Sequence, residues 1–253
     1  MRHTRLYHPQ ALTLNSPVIL TEEKSHYLIQ VMRYTIGQEL ILFHQVNKEF
    51  FGKIIAIEGK KKPRVTIDIY AEKITSTESK LEITLIQGLA KNDKMDWIVQ
   101  KAVELGAAEI YPVITDFSEV RLNPERLLSK QQHWQNIAIS AAEQSLRTHV
   151  PMIHGPQKII DCLENIKLEI QANPIFCLHP HPPAVSLTKQ LEALSSPKKI
   201  TLLIGPEGGF SPKEIAYFEQ ARYSLVTLGP RILRTETAAI VMQSLLQHQF
   251  GDL

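Results

Sequence analysis

Two short segments near the carboxyl terminus carry residues whose types and spacing suit ligand chemistry. The first, Gly205-Pro206-Glu207-Gly208-Gly209, follows the continuously apolar stretch Ile200 to Ile204 and precedes Ser211-Pro212-Lys213-Glu214. The apolar stretch reads as a central parallel strand buried on both faces. The segment after it reads as a capping box with proline at the first helical position. Glycines at such a strand-to-helix turn let a ligand approach the backbone closely, and α/β sheets bind ligands in the crevice beyond their strand carboxyl ends. An ordinary tight turn is the competing account. The segment matches neither GxGxxG nor GxxxxGK[ST], so it is no phosphate cradle.

The second segment runs from Leu228 to Ala239, LGPRILRTETAA. An apolar strand enters a loop carrying Arg231 and Arg234, and a helix starts at Thr235, Glu236 and Thr237. Two arginines buried among apolar neighbours call for anionic partners or a ligand. The plainer reading is a helix capped by Thr235, with the arginines paired to surface carboxylates. Either segment alone is modest evidence; both at successive strand ends are much stronger. Elsewhere, Trp97 and Lys101 stand one helical turn apart, an arrangement that suits stacking on RNA or a tryptophan beside a snorkelling lysine. Cys177, His179 and His181 are close together, but prolines at 180, 182 and 183 stiffen the run and no fourth ligand is evident, so no metal site is expected. The basic run Lys60 to Lys62 reads as a solvated hairpin tip; the alternative, in a domain that also holds Arg2, Arg5, Arg33, Lys48 and Lys53, is the border of an RNA-binding face.

The elements that must position these residues fall into two rhythms. Strands are expected over Glu39 to His44, Glu49 to Ile57 and Arg64 to Tyr70, with turns at Gly37, Gly52 and Gly59, and a helix over about Glu22 to Met32. Short antiparallel strands with tight turns suggest a small barrel. The polar stretch Glu72 to Lys80 reads as a linker. Beyond it strands alternate with helices, as in a parallel α/β sheet. A strand over Glu82 to Leu89 leads to a helix from about Asp93, with Met95, Ile98, Val99, Ala102 and Val103 at helical spacing and Gly106 as its end. A strand over Glu109 to Ile114 precedes a long helix capped by Asn123 and opened by Pro124. Further strands are read at Ile175 to Leu178 and Leu225 to Leu228, with helices at Ala184 to Leu194 and Thr235 to Gln249.

Composition bounds the function. Net charge is +2, from 28 basic and 26 acidic side chains, which excludes a polycation that coats nucleic acid but permits a local basic patch. Two cysteines without a CxxC pairing argue against a disulfide framework and for a reducing compartment. Residues 1 to 10 lack the apolar core of a signal peptide, and no run approaches the ~20 apolar residues that span a bilayer. A cytoplasmic protein without membrane contact is expected.

IGPEGGFSPKEI followed by LGPRILRTETAAI closely resembles the RsmE family of 16S ribosomal RNA uridine-N3 methyltransferases, a branch of the SPOUT class. The resemblance extends to KNDKMDWIVQKAVELG at Lys91 to Gly106 and AAEQSLRTHVP at Ala141 to Pro151. It reaches more weakly to HYLIQVMRYTIGQEL near His26, in the region matching the family's PUA-like RNA-binding domain. The turn after Phe43 reads His-Gln-Val-Asn in place of a glycine-bearing turn, and the stretch from Ser118 to Arg121 is shortened.

The resemblance implies a small PUA-like β-barrel domain, residues 1–72, ahead of an α/β SPOUT-type domain, residues 73–253, whose parallel sheet ends in a deep trefoil knot. It implies S-adenosylmethionine as cofactor, bound by Leu178, His179, Ile204, Gly205, Pro206, Glu207, Gly208, Gly209, Leu228, Gly229, Arg231, Ile232, Leu233, Thr237 and Ala238. It implies 16S ribosomal RNA in the small ribosomal subunit as partner, reached through Arg2, Arg5, Arg33, Lys53 and Lys101. A homodimer is also implied, for which Ile240, Val241, Leu245 and Leu246 suit an interface or a plain core. Uridine N3 must lose its imide proton, which calls for a base or a cation stabilising the uridine anion. Arg234 is the first choice for the cation and Glu236 for the base; Glu143 and Arg147, at the spacing of a surface ion pair, join the catalytic candidates through their motif. The competing functions are a SPOUT methylase of another RNA, such as transfer RNA ribose 2′-oxygen, and a non-catalytic RNA-binding module.

Overall fold

The computed structural model describes residues 3–75, 77–91, 93–118, 124–181 and 183–253, apart from the side chain of Pro124. Arg2, Arg121 and the expected cap Asn123 lie outside them. The chain divides into two compact units, residues 1–78 with 142–150, and residues 79–141 with 151–253.

In the first unit β1 (Arg5–Tyr7), β2 (Pro17–Ile19), α1 (Glu22–His26), β3 (Glu39–Phe43), β4 (Lys48–Glu58) and β5 (Arg64–Ile74) come in that order. The strands form one sheet in the order β1-β3-β4-β5-β2. Only the β1–β3 pairing is parallel among them. Alternating apolar residues of the three long strands, Leu40, Leu42, Phe50, Ile54, Val65, Ile67 and Ile69, pack with Leu6, Leu20 and Leu28 into one core. The helix read to Met32 stops being α-helical at His26 and continues as a wider π-helical turn, Tyr27–Val31. β1 and β2 are three residues each, too short for a strand pattern to register. β5 runs on to Ile74, so residue 72 falls inside a strand.

Residues 142–150 are tied into this unit by charged side chains. Arg5 is buried: its guanidinium donates to Glu49 Oε1 at 2.8 Å and to the carbonyls of Ala142, Glu143 and Arg147 at 3.4, 3.3 and 3.0 Å. Its carbon Cζ lies 4.5 Å from the Phe43 ring centre. The Glu143 carboxylate accepts from Lys24 Nζ at 2.6 Å and from the Tyr7 backbone N–H at 2.9 Å. Glu78 receives Arg147 Nε and Nη2 at 3.0 and 2.8 Å, and the backbone N–H groups of Thr148 and His149 at 2.8 and 3.1 Å. A cut at residue 72 would remove Arg5, Tyr7 and Lys24, and with them most of this support.

The second unit contains β6 (Glu82–Gly88), α2 (Lys94–Glu104), β7 (Ala107–Ile114), α3 (Pro124–Gln144), whose last residues belong to the first unit, β8 (Met152–Ile153), β9 (Gln157–Lys158), α4 (Ile159–Asn165) and α5 (Lys167–Ile170). Next come β10 (Ile175–Leu178), β11 (Val185–Ser186), α6 (Leu187–Glu192), β12 (Lys199–Ile204), α7 (Pro212–Gln220), β13 (Ser224–Thr227) and α8 (Thr235–Phe250). The sheet order is β11-β13-β10-β12-β6-β7-β8, with β9 also on β7, and every pairing is parallel. β12, buried along five of its six residues, lies between β6 and β10, as its unbroken apolar run requires. After β13 the chain crosses back, and α8 packs on α2 and β12. That return to the middle of the sheet is the path a knotted carboxyl terminus needs. The capping box of α7 forms as its sequence predicts: Ser211 Oγ accepts from Glu214 N, and Glu214 Oε2 accepts from Ser211 N at 2.7 Å. No helix among the described residues is long and apolar enough to cross a membrane.

Burial pushes the Glu78 carboxyl up, but the Arg147 guanidinium and two backbone N–H groups outweigh it and leave it below the ordinary carboxylate range. A lowered folded-state value means stability that is full above the ordinary Glu pKa of about 4.3 and lost as pH falls through the lowered value. Denaturation melts should therefore find Arg147→Ala less stable by about 2–3 kcal/mol at neutral pH, since it leaves a half-buried carboxylate without its cation. Glu78→Gln should cost about 2 kcal/mol and flatten the acid limb of the stability profile.

Candidate functional site

Four strands of the second unit end side by side, and the segments beyond their carboxyl ends meet at one cavity of about 550 Å³. Leu178, His179 and Pro180 come from the end of β10. Ile204 to Glu207 and Gly209 come from the end of β12, and Thr227, Leu228 and residues 231–235 from the end of β13. Lys94, at the start of α2 beyond β6, and Ala238 on α8 complete the wall. This is the crevice at strand carboxyl ends where the parallel α/β architecture predicts a ligand.

Close backbone approach holds the crevice together. A Cβ on Gly88 would stand 2.5 Å from Pro206 Cδ and 2.6 Å from Pro206 N, so the end of β6 meets the 205–209 turn only because that residue is glycine. The Thr235 hydroxyl donates to the Gly205 carbonyl at 2.6 Å and accepts from Gln87 Nε2 at 3.0 Å. Gln87 Nε2 also reaches the Gly88 carbonyl at 3.0 Å. Thr235 is therefore no cap for α8, whose N-cap is Arg234 without a side-chain bond. Its hydroxyl instead ties the last helix to the ends of two central strands.

The charges gather around Lys94. Its ammonium donates to Glu207 Oε1 at 2.8 Å and lies 3.7 Å from Glu236 Oε2. The second distance permits Coulomb attraction but no hydrogen bond, so Glu236 Oε2 is buried without a hydrogen-bond partner. Burial pushes the Glu207 carboxyl up, but Lys94 and the backbone N–H of Lys91 hold it below the usual range. The bond to Glu207 raises Lys94 above the ordinary lysine value. His179 is lowered, by burial first and by neighbouring His181 second, and stays neutral at pH 7. A neutral, mostly apolar floor with paired charges at one side suits an organic ligand carrying its own charge.

Most expected ligand-contacting residues come together here. Leu178, His179, Ile204, Gly205, Pro206, Glu207, Gly209, Leu228, Arg231, Ile232, Leu233 and Ala238 line the cavity, as does Arg234. Gly208, Gly229, Thr237 and the expected base Glu236 do not: a Cβ on Gly208 would meet Phe117 Cβ at 2.9 Å, Thr237 is exposed, and Glu236 is next to the wall only through Lys94, 3.7 Å away. Arg231 and Arg234 are exposed, not buried as their apolar neighbours had implied. Glu143 and Arg147 belong to the first unit, engaged with Lys24, Tyr7 and Glu78. Arg5, expected on an RNA-facing surface, is buried with its donors taken up by Glu49 and three carbonyls. Arg33 and Lys53 are exposed on the first unit, and Lys101 holds Glu104 at 2.8 Å near half-exposed Trp97. Leu246 is core; Leu245 is exposed and Ile240 and Val241 half-buried. Lys94 and Gln87 were missed, although Lys94 lies in the KNDKMDW segment and Gln87 near the end of the strand before it; nothing in local spacing marks a lysine whose partners are over a hundred residues away.

Residues 77–247 match an RNA methyltransferase domain, and residues 20–68 an RNA methyltransferase PUA domain. The whole chain is 35% identical to ribosomal RNA small subunit methyltransferase E of Buchnera aphidicola subsp. Schizaphis graminum, over 98% of that protein. It is 29% identical to the Bacillus subtilis protein of the same description, over 91% of this chain and 89% of that one. Among solved structures, a putative methyltransferase from Legionella pneumophila in complex with the cofactor SAM superposes with a TM-score of 0.88, at 34% identity and full coverage of both chains. A ribosomal RNA small subunit methyltransferase E from Neisseria gonorrhoeae, bound to S-adenosyl methionine, gives 0.87 at 32% identity, also with full coverage.

The Thr235 junction generates a direct test. Thr235→Val leaves the Gly205 carbonyl without its hydroxyl donor and removes an acceptor from Gln87. Chemical denaturation should record a loss of about 1–3 kcal/mol, while Thr235→Ser, which keeps the hydroxyl, should lose less than half of that.

Proposed function

The chain belongs to the ribosomal RNA small subunit methyltransferase E family, and from that premise we propose that it methylates N3 of a uridine in 16S ribosomal RNA, with S-adenosylmethionine as donor. The observation that carries the reading is the cavity at the strand ends, whose size lies in the range of small-molecule sites and whose floor is apolar with a buried unpaired acceptor, Glu236 Oε2, beside it. Leu178, Ile204, Leu228, Leu233 and Ala238 supply apolar wall for an adenine ring, and the backbone of residues 205–209 and 228–233 supplies hydrogen-bonding groups. The donor fits such a wall without a metal, and no cluster of metal-ligating side chains occurs among the described residues.

When bound, the donor supplies a methyl group on a positively charged sulfur, ready to be displaced by a nucleophile. This chain's residues must make uridine N3 that nucleophile. The Glu236 carboxylate takes the imide proton, and Lys94, 3.7 Å away, holds that carboxylate in place. Arg234, exposed at the cavity edge, stabilises the negative charge that the uridine carbonyl oxygens acquire. The proton ends on Glu236 and leaves to solvent, and the methyl group ends on N3. The first unit, with exposed Arg33 and Lys53, serves as the RNA platform that selects one site among many. Two copies pair through the α8 face bearing Ile240, Val241 and Leu245, and the protein acts in the cytoplasm, where small subunits are assembled. Arg234 is what favours N3 over the ribose 2′-oxygen, since a cation there matches an anion spread over a base.

Calorimetry should find S-adenosylmethionine or its demethylated product bound in the presence of a chelator. Arg234→Ala should leave donor affinity within about threefold while lowering the single-turnover rate by about a hundredfold or more, because the charge it meets develops only in the transition state. Glu236→Gln should behave alike. Mass-spectrometric mapping of the product should place the methyl group on uridine N3; a ribose methyl would overturn the reading.

A further inference from the structure

Ile232 stands at the mouth of the cavity with 74% of its surface exposed. The other large apolar residues of the wall, Leu178, Ile204, Leu228 and Leu233, are buried or half-buried. Its neighbours Arg231 and Arg234 are both exposed cations on the same short loop. The loop is fixed at both ends: the Thr227 hydroxyl donates to the Gly229 carbonyl at 3.1 Å, and the Thr235 hydroxyl donates to Gly205. A β-branched, stiff side chain is thus presented from a fixed loop between two positive charges.

The proposed reaction sets a steric requirement at this place. N3 lies on the pairing edge of uridine, between its two carbonyls. To bring that atom into a concave site, the base must leave its stack and any partner. The gap left behind is unfavourable, and proteins that open base steps commonly hold them open with an inserted apolar side chain. We infer that Ile232 is such a wedge: it enters the RNA stack next to the target uridine, while Arg231 beside it meets the phosphate backbone. Arg231 and Arg234, both exposed on either side of Ile232, favour a polyanion such as RNA as the occupant of this edge. The inference rests on the uridine-N3 reading and adds the device that delivers the base.

The test uses full-length protein and small ribosomal subunits lacking the methyl group. Ile232→Ala should lower the single-turnover rate by at least about tenfold, with donor affinity within about twofold of wild type because the donor meets this loop through its backbone. Ile232→Leu should restore most of the rate. With the demethylated donor bound, 2′-hydroxyl acylation should rise at the nucleotide beside the target for wild type and Ile232→Leu, and stay at the free-subunit level for Ile232→Ala. A tenfold loss of donor affinity in Ile232→Ala would make the side chain a pocket wall, and a shift to monomer in sedimentation would make it a subunit contact; either overturns the wedge. So would an Ile232→Ala variant equal to wild type in rate and acylation. A methyl group found elsewhere than N3 in the wild-type reaction faults the reading beneath, whereas N3 methylation with unaltered variant rates faults the wedge alone.

Discussion

The ends of two central strands and the first turn of the last helix meet on one buried hydroxyl, that of Thr235. Everything else at the site hangs from this junction. It fixes α8 against the 205–209 turn, and so fixes Arg234 and Glu236 on either side of Thr235 in relation to the apolar floor. It also requires Gly88, since any side chain there would strike the Pro206 ring and backbone. A sheet order that puts β12 between β6 and β10 makes the junction possible, because only a chain that returns from β13 to the middle of the sheet can bring its last helix there.

The charges around that junction divide the work by position. Glu207 is tied to Lys94 and to the backbone of Lys91, so it fastens the turn after β12 to the start of α2. Glu236 is held by the same ammonium only through space, with one oxygen left for another proton donor. Lys94 thus hydrogen-bonds one carboxylate and leaves the second available. A lysine bonded equally to both would have left the site without a base.

The chemistry-bearing loops were legible in the sequence because glycine, proline and capping patterns are local: the buried run of β12, the SPKE box and the TETAA helix start all appear where their residues require. The three long strands of the first unit were legible for the same reason, through alternation. The features that escaped the sequence depend on distant partners. Arg5 is chemically an RNA-binding residue; that it is buried follows from Glu49 and from carbonyls 137 or more residues away. Glu143 and Arg147 have the spacing of a mutual surface pair, yet each pairs with residues of the amino-terminal segment instead. Arg231 and Arg234 have apolar neighbours in sequence, but a loop at a cavity mouth turns them to solvent. Strands of two or three residues, such as β1, β2, β8 and β9, have too few residues for a period and exist only because longer strands template them.

The unpaired buried acceptors indicate what the fold has kept at a cost. Three occur among the described residues: Gln87 Oε1, Glu236 Oε2 and Gln243 Oε1. Each costs about 1–3 kcal/mol relative to a satisfied group. An apolar residue of similar shape would relieve that cost at any of the three positions. At Gln87 it would also remove the donor that holds Thr235, so the junction explains the residue despite its idle oxygen. At Glu236 the structural return is smaller: the carboxylate lies in the first turn of α8 and 3.7 Å from Lys94, but makes no hydrogen bond through its buried oxygen, and that ammonium is already bonded to Glu207. An acceptor kept without a hydrogen bond beside a cavity is available to a proton donor that enters the cavity. The imide proton of a uridine is a group of the right kind, because it is given up only in the reaction and leaves the carboxylate free again afterwards.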